Sequence, residues 1–241
     1  MDAQIQIGET TLPYLLKRSF RRRTVAISIH PEQGLVVYSP ARLSHRWLEE
    51  VLLKKARWIL SKTREAADAR AQAAELRWEP GQSLPFRGAL HPLKVAHDAA
   101  PAGVQLENGS LVLNLPLEFP GSVTSDRIRQ EIVGWYREQA RRVLLGRVHH
   151  YQEAMGVRAR NVRVKDQKRR WGSCSADGML NFNWRLILAP PEILDYVVVH
   201  ELCHLRLLNH SPAFWDLVGT VMPDYRARKT WLRQNSLGLS L

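Results

Sequence analysis

Val197-Val198-Val199-His200-Glu201-Leu202-Cys203-His204-Leu205-Arg206-Leu207-Leu208-Asn209-His210 is the stretch that decides how this chain is read. Pro190-Pro191 ahead of it opens a helix, because the first helical N–H has no partner to lose. Glu192 and Asp195 complement the positive end of the helix dipole. On that helix His200 and His204 stand one turn apart and project from one face. Two imidazole nitrogens so placed can meet one metal ion about 2 Å away. Glu201 lies about 100° around the helix, where it reaches a water on the ion without being a ligand. Asn209 tolerates a left-handed backbone and is expected to end the helix. The chain then turns and returns His210 as a third ligand. Three protein ligands and an open position are what a catalytic zinc site needs. The plainer alternatives are a pair of hydrogen-bonded core histidines and, for His210, a cap or a surface residue. The first buries imidazoles and a carboxylate at a cost that serves nothing.

Working outward toward the N-terminus, Leu180, Phe182, Trp184, Leu186 and Leu188 alternate on one face and predict a strand, preceded by an Asp177-Gly178 turn. Val162 and Val164 alternate with Arg163 and Lys165 in another. A long helix capped by Ser122 or Thr124 is expected to run to about Met155, with Ile128, Ile132, Trp135, Tyr136, Val143 and Leu144 inward and Gly156 closing it. Pro116, Pro120 and Gly121 mark a domain boundary. The expected domains are therefore a β-rich N-terminal module over residues 1–116 and a second domain over 122–241. Within the module, Asn108-Gly109 signals a hairpin. A long helix is expected over about 44–75, with Trp47, Val51 and Trp58, and the offset Leu48, Leu52 and Ile59, on its inner side.

His200-Glu201-Leu202-Cys203-His204, followed by Asn209-His210-Ser211-Pro212-Ala213-Phe214-Trp215, resembles the YgjP-like, SprT-related group of zincin metallopeptidases. Trp171-Gly172-Ser173-Cys174-Ser175, Asn183-Trp184-Arg185-Leu186 and Tyr196-Val197-Val198-Val199 fit the same pattern. The resemblance is dense over residues 162–215 and loose elsewhere. It implies an α+β, zincin-like domain built of a long backing helix, a small twisted sheet and the active-site helix. It implies His200, His204 and His210 as metal ligands and Glu201 as the catalytic glutamate. Metzincins share the three-histidine spacing but need Gly where this chain has Leu207, which excludes them. In zincins an edge strand runs above the metal and pairs with an extended peptide. Trp171–Ser175 is expected to supply it; the alternative is a structural hairpin with Trp171 in the core. Phe214 and Trp215 are expected to pack a helix beneath the site.

The remaining composition narrows the partners. The chain has 241 residues and a formal net charge of +12, which favours anionic partners such as nucleotides or nucleic acid alongside a peptide or protein substrate. Lys168, Arg169, Arg170 and Trp171, beside the expected edge strand, form a candidate substrate- or anion-binding segment. Tyr225, Arg169 and Arg170 are candidates for stabilising the oxyanion. Two cysteines, Cys174 and Cys203, read as small core residues and exclude a disulfide framework. No leader or membrane-spanning run is visible, so the expected location is cytoplasmic, with no membrane partner and no obligate partner. The expected function is a zinc-dependent hydrolase, a metallopeptidase using Glu201 to activate water, with one Zn2+ per chain and Ni2+ as an alternative ion. The alternatives are a metal-dependent nucleoside triphosphate pyrophosphatase and a DNA-associated protease.

Overall fold

The structure, a computed structural model, describes residues 2–30, 33–74, 76–97, 102–116, 124–167, 170–236, 238–239 and 241. The chain divides into two compact units, residues 1–75 with 240–241, and residues 76–239. The fold is α+β.

The first unit holds β1 (Asp2–Ile7), β2 (Thr10–Ser19), β3 (Ala26–His30), β4 (Gly34–Pro40), α1 (His45–Lys54) and α2 (Ala56–Ala74). Its sheet runs in the order β1-β2-β4-β3, with β2 and β4 parallel and the other pairs antiparallel. Alternating side chains from β1, β2 and β4 (Ile5, Ile7, Tyr14, Leu16, Leu35 and Val37) form one core with Leu48, Leu52 and Ile59 of the helices. The expected single helix is two, because Lys55 leaves helical geometry at φ −105°, ψ 11° and caps α1. Of the two apolar rows, Leu48, Leu52 and Ile59 face the core, while Trp47 and Trp58 are exposed. Each fully buried aliphatic side chain in this row contributes about 1.5–3 kcal/mol.

The second unit begins with β5 (Ser83–Phe86), β6 (Ala89–His97), β7 (Gly103–Glu107) and β8 (Ser110–Leu115), ordered β5-β6-β8-β7. Asn108 and Gly109 take positive φ, 46° and 76°, and close the β7–β8 hairpin as the sequence predicts. This sheet is part of the second unit and not of an N-terminal module, so the division falls after residue 75 and not near 116. The reason is local. Arg87 and Gly88 donate backbone N–H groups to Ile187 O and Leu188 O at 2.9 and 3.0 Å. The buried Tyr136 hydroxyl also donates to Pro85 O at 2.7 Å. Tyr136→Phe removes that bond and is expected to lower stability by about 1–2 kcal/mol in a denaturant titration. Pro120, Gly121 and Ser122 lie outside the described residues.

Next come α3 (Ser125–Met155), β9 (Asn161–Lys165), β10 (Gly172–Cys174), β11 (Met179–Asn183), α4 (Pro191–Cys203), α5 (Pro212–Val221) and α6 (Tyr225–Asn235). Thr124 caps α3 through its side chain, and Gly156 closes it at φ 61°. Its buried stripe is Ile128, Ile132, Tyr136, Ala140, Leu144 and Val148, spaced by four. The small sheet runs β10-β11-β9, with β10 on its edge. The expected long strand through Leu188 stops at Asn183; Trp184–Leu188 is a 3-10 turn. Asn183 stops it: its side-chain oxygen accepts from Arg185 N at 3.1 Å. Leu180, Phe182, Trp184, Leu186 and Leu188 are nevertheless all buried. Among the described residues no helix is long and apolar enough to cross a membrane.

Candidate metal centre

α4 is almost wholly apolar on every side: Ile193, Leu194, Val197, Val198, Val199 and Leu202 are all buried. It runs between α3, the small sheet, α5 and α6. Such a helix is fixed by packing, so the backbone positions from which its polar side chains project are fixed with it. His200 projects from its last turn. The helix ends at Cys203, six residues before the Asn209 terminus expected from sequence, and His204 is its cap. The reason is a tightening of the last turn, in which Leu205 N and Arg206 N donate to Leu202 O and Cys203 O, both at 3.1 Å. Arg206 Nη2 then donates to Met155 O at 2.6 Å and anchors the turn to the end of α3. The chain reverses and brings His210 back ahead of α5.

One ring nitrogen from each of His200, His204 and His210 lies within 4.8 Å of the others. His200 and His210 face each other through Nε2 at 3.0 Å. His204 Nδ1 is 2.9 Å from Leu207 O. That contact makes Nδ1 the protonated nitrogen and leaves the Nε2 lone pair free. Burial pushes the His200 pKa down to about 3, helped by His204, His210 and Lys229. Burial and the same kind of neighbours also lower that of His210. Imidazoles held neutral keep the lone pairs that a metal requires. Phe214 of α5 is fully buried and lies under all three rings, with centroids at 5.0, 4.5 and 4.9 Å. Trp215 stacks on His210 at 5.5 Å and on Tyr225 at 5.5 Å. The expected packing role of Phe214 and Trp215 is what is seen.

Glu201 points to the small sheet. It is 5% exposed, and it has no hydrogen-bond partner among the described residues. Burial raises its pKa to about 7, and Arg170 pulls in the opposite direction. Its neighbour is the edge strand. A Cβ built on Gly172 would stand 2.6 Å from Glu201 Oε1, so β10 lies directly against the carboxylate. Trp171, half-buried at the head of β10, accepts from Asn183 N at 2.8 Å, and Ser175 N donates to Met179 O at 3.0 Å. The alternation of an antiparallel ladder then turns the N–H and C=O groups of Gly172 and Cys174 to the free edge.

Of the basic segment, Lys168 and Arg169 lie outside the described residues. Arg170 is exposed and its charge acts on Glu201. The buried Asn183 amide donates to Gln167 O at 2.8 Å and to Arg170 O at 3.5 Å, so it holds both ends of this loop. Cys203 is buried as expected. Cys174 is only half-buried, and its thiol pKa is pushed up to about 11 by burial and by Glu201. Tyr225 is engaged with Trp215 and accepts from Arg226 Nε at 3.3 Å. Sequence reasoning missed Gly172, although a glycine inside a strand signals close approach of another group. It also missed Lys229, whose ammonium sits 3.7 Å from the centre of the Trp215 ring; nothing in its sequence context marks it.

A long helix behind a small sheet, with a histidine pair on the adjoining helix and a third histidine returned to it, defines a metal-dependent hydrolase of the metallopeptidase type. The chain belongs to the YgjP-like family: the model described as "YgjP-like, metallopeptidase domain" matches residues 23–235. Membership implies a divalent metal. A stretch of 54 residues is 41% identical to the UTP pyrophosphatase of Escherichia coli (strain K12), covering 21% of this chain and 32% of that enzyme. The match therefore spans about a third of that relative's length. Among solved structures, the metallopeptidase zymogen abylysin of Pyrococcus abyssi aligns with a TM-score of 0.35 at 25% identity, covering 39% of this chain and 92% of that one. The zymogen jannalysin of Methanocaldococcus jannaschii aligns with a TM-score of 0.35 at 19% identity, covering 38% and 94%.

Proposed function

We propose that His200, His204 and His210 hold one zinc ion and that Glu201 is the general base of a peptide-bond hydrolysis. The observation that carries this reading is a buried carboxylate with no hydrogen-bond partner among the described residues, on the same helix as two of three converging imidazoles. The donor set fits the ion: three nitrogen ligands are a catalytic zinc complement, and they suit nickel as well. When bound, the ion supplies Lewis acidity, making water acidic near neutrality and polarising a carbonyl.

The chain's own residues do the rest. A Glu201 oxygen with a pKa near 7 takes the proton of the attacking water and delivers it to the leaving nitrogen. Gly172, having no side chain, leaves room for that carboxylate beneath the edge strand. The outward N–H and C=O groups of Gly172 and Cys174 receive an extended peptide by strand addition. Cleavage of unfolded casein by wild type, abolished by a chelator and restored by zinc, tests the reading; absence of cleavage with zinc bound overturns it.

A second reading, hydrolysis of a nucleoside triphosphate, is favoured by two cations beside the centre. Arg170 acts on Glu201, and Lys229 acts on His200 and His210. The Escherichia coli relative is a UTP pyrophosphatase, which points the same way. If phosphate is what these cations bind, Lys229→Glu should lower kcat/KM for UTP about tenfold or more, the effect of removing a charge-assisted hydrogen bond. Cleavage of an uncharged peptide should stay within about threefold. Equal loss on both substrates removes this reading.

A further inference from the structure

We propose that a cleft at the opposite end of α4 is a second binding site, for a small monocarboxylate carrying a branched hydrocarbon body. The cleft has a volume of about 240 Å³, with Arg87, Arg147 and Asp195 on its polar side and Val143, Ile187 and Leu194 on its apolar side. It is separate from the metal centre. Leu194 and Asp195 lie five to six residues before His200, about 8–9 Å along the helix axis and about 120–140° around it.

Arg87 is the informative residue. It and Gly88 form the two-residue loop between β5 and β6, closed by the Phe86–Ala89 pair. Both have positive φ, 51° and 83°. Such a loop ordinarily recruits Asn-Gly, because a long side chain is disfavoured in the left-handed region. A Cβ at Gly88 would lie 2.9 Å from Pro190 Cγ, so the turn is seated on the segment that opens α4. Its two backbone hydrogen bonds to Ile187 and Leu188 fix it there. The turn gains nothing from an arginine, and its guanidinium has no ion pair or side-chain hydrogen bond among the described residues. What the arginine adds is a cation at the mouth of an apolar cleft. Strain retained at such a place marks a site.

The opposite wall is arranged to match. Arg147 donates through Nε and Nη2 to the two Asp195 oxygens at 2.7 and 2.8 Å, and Nη2 also reaches the Tyr151 hydroxyl at 3.3 Å. Nη1 is left over and can donate to a ligand. Two arginines and one aspartate leave one positive charge, which a single carboxylate neutralises. The volume lies below the roughly 300–1,000 Å³ of drug-sized sites, so the occupant is fragment-sized. Val143, Ile187 and Leu194 suit a branched alkyl group of the leucine kind. That chemistry has two sources, a free branched-chain acid and the carboxyl-terminal residue of a peptide.

The test uses the full, zinc-loaded chain with three probes: 4-methylpentanoate, N-acetyl-leucine and N-acetyl-leucinamide. Binding is followed by the methyl resonances of Val143, Ile187 and Leu194. Saturable shifts with either acid, and binding of the amide weaker by about tenfold or more, are expected. The tighter of the two acids identifies the source. Arg87→Asn, which the turn itself prefers, should weaken acid binding by about tenfold or more without lowering Tm. Val143→Phe, which fills the cleft from its partly exposed side, should abolish binding and serves if the first variant fails to fold. Equal binding of acid and amide, unchanged binding by either folded variant, or an acid that leaves all three methyl resonances unmoved would each overturn the proposal.

Discussion

Glu201→Gln should lower turnover by about 10²–10⁴, the usual contribution of a general base, while zinc stays near one ion per chain. The amide has the shape of the carboxylic acid but cannot take a proton at neutral pH. A ligand role for Glu201 is disfavoured by geometry. The three imidazoles converge on one another, whereas Glu201 leaves the helix toward β10, with Oε1 against Gly172. A purely structural role is disfavoured because the buried carboxylate has no hydrogen-bond partner among the described residues. Glutamine removes a buried charge that has no hydrogen-bond partner among the described residues, so Tm should not fall. The measurements are turnover on the substrate that wild type cleaves, metal content by elemental analysis, and thermal unfolding. Retained turnover removes Glu201 from the chemistry. Loss of zinc together with turnover makes it a support of the site.

The centre was largely legible in sequence because its parts are local. His200, Glu201 and His204 share one helix, and the 3.6-residue repeat alone fixes their relative directions. His210 was legible through a turn, though the turn comes earlier than Asn209 suggested. Side-chain and loop hydrogen bonds at Cys203 and Arg206 set helix ends, and periodicity does not register them. The same limit explains the strand that stops at Asn183, where one side chain diverts the backbone into a 3-10 turn while leaving every expected residue buried. The boundary near Pro116 misled for a different reason. Composition changes there, but the second sheet is tied to the 3-10 turn and to α3 by the Arg87, Gly88 and Tyr136 bonds, which span 51 residues or more of sequence. Long-range pairings of this kind leave no local signal. Lys229 was invisible for the same reason, since only the fold carries α6 to the Trp215 ring.

Gly172→Ala should reduce turnover by about 10²-fold while the fold and the zinc are kept. An added Cβ would lie 2.6, 2.7 and 2.9 Å from Oε1, Cγ and Cδ of Glu201, inside the distance that real contacts allow. Something must move, and the two parties are not equally free. β10 is held through its ladder to β11, with flanking bonds at Trp171 and Ser175. α4 is packed on all sides. The Glu201 side chain ends in rotatable bonds with no hydrogen-bond partner among the described residues, so the carboxylate yields. Displacing a catalytic group by about 1 Å is enough for a loss of that size. The three imidazoles are fixed by Phe214 and by the His204–Leu207 contact, and the three atoms nearest an added Cβ all belong to Glu201, so zinc affinity should be unchanged. The double variant with Glu201→Gln gives the sharper result. If Gly172 acts through the position of the base, the second substitution has nothing left to disturb, and the double variant should be no slower than Glu201→Gln alone. If its role is instead to leave the edge strand clear for substrate, the two losses should multiply and KM should rise. A fall in zinc content or in Tm beyond about 1–2 kcal/mol of stability would mean that β10 or α4 had moved in place of the carboxylate.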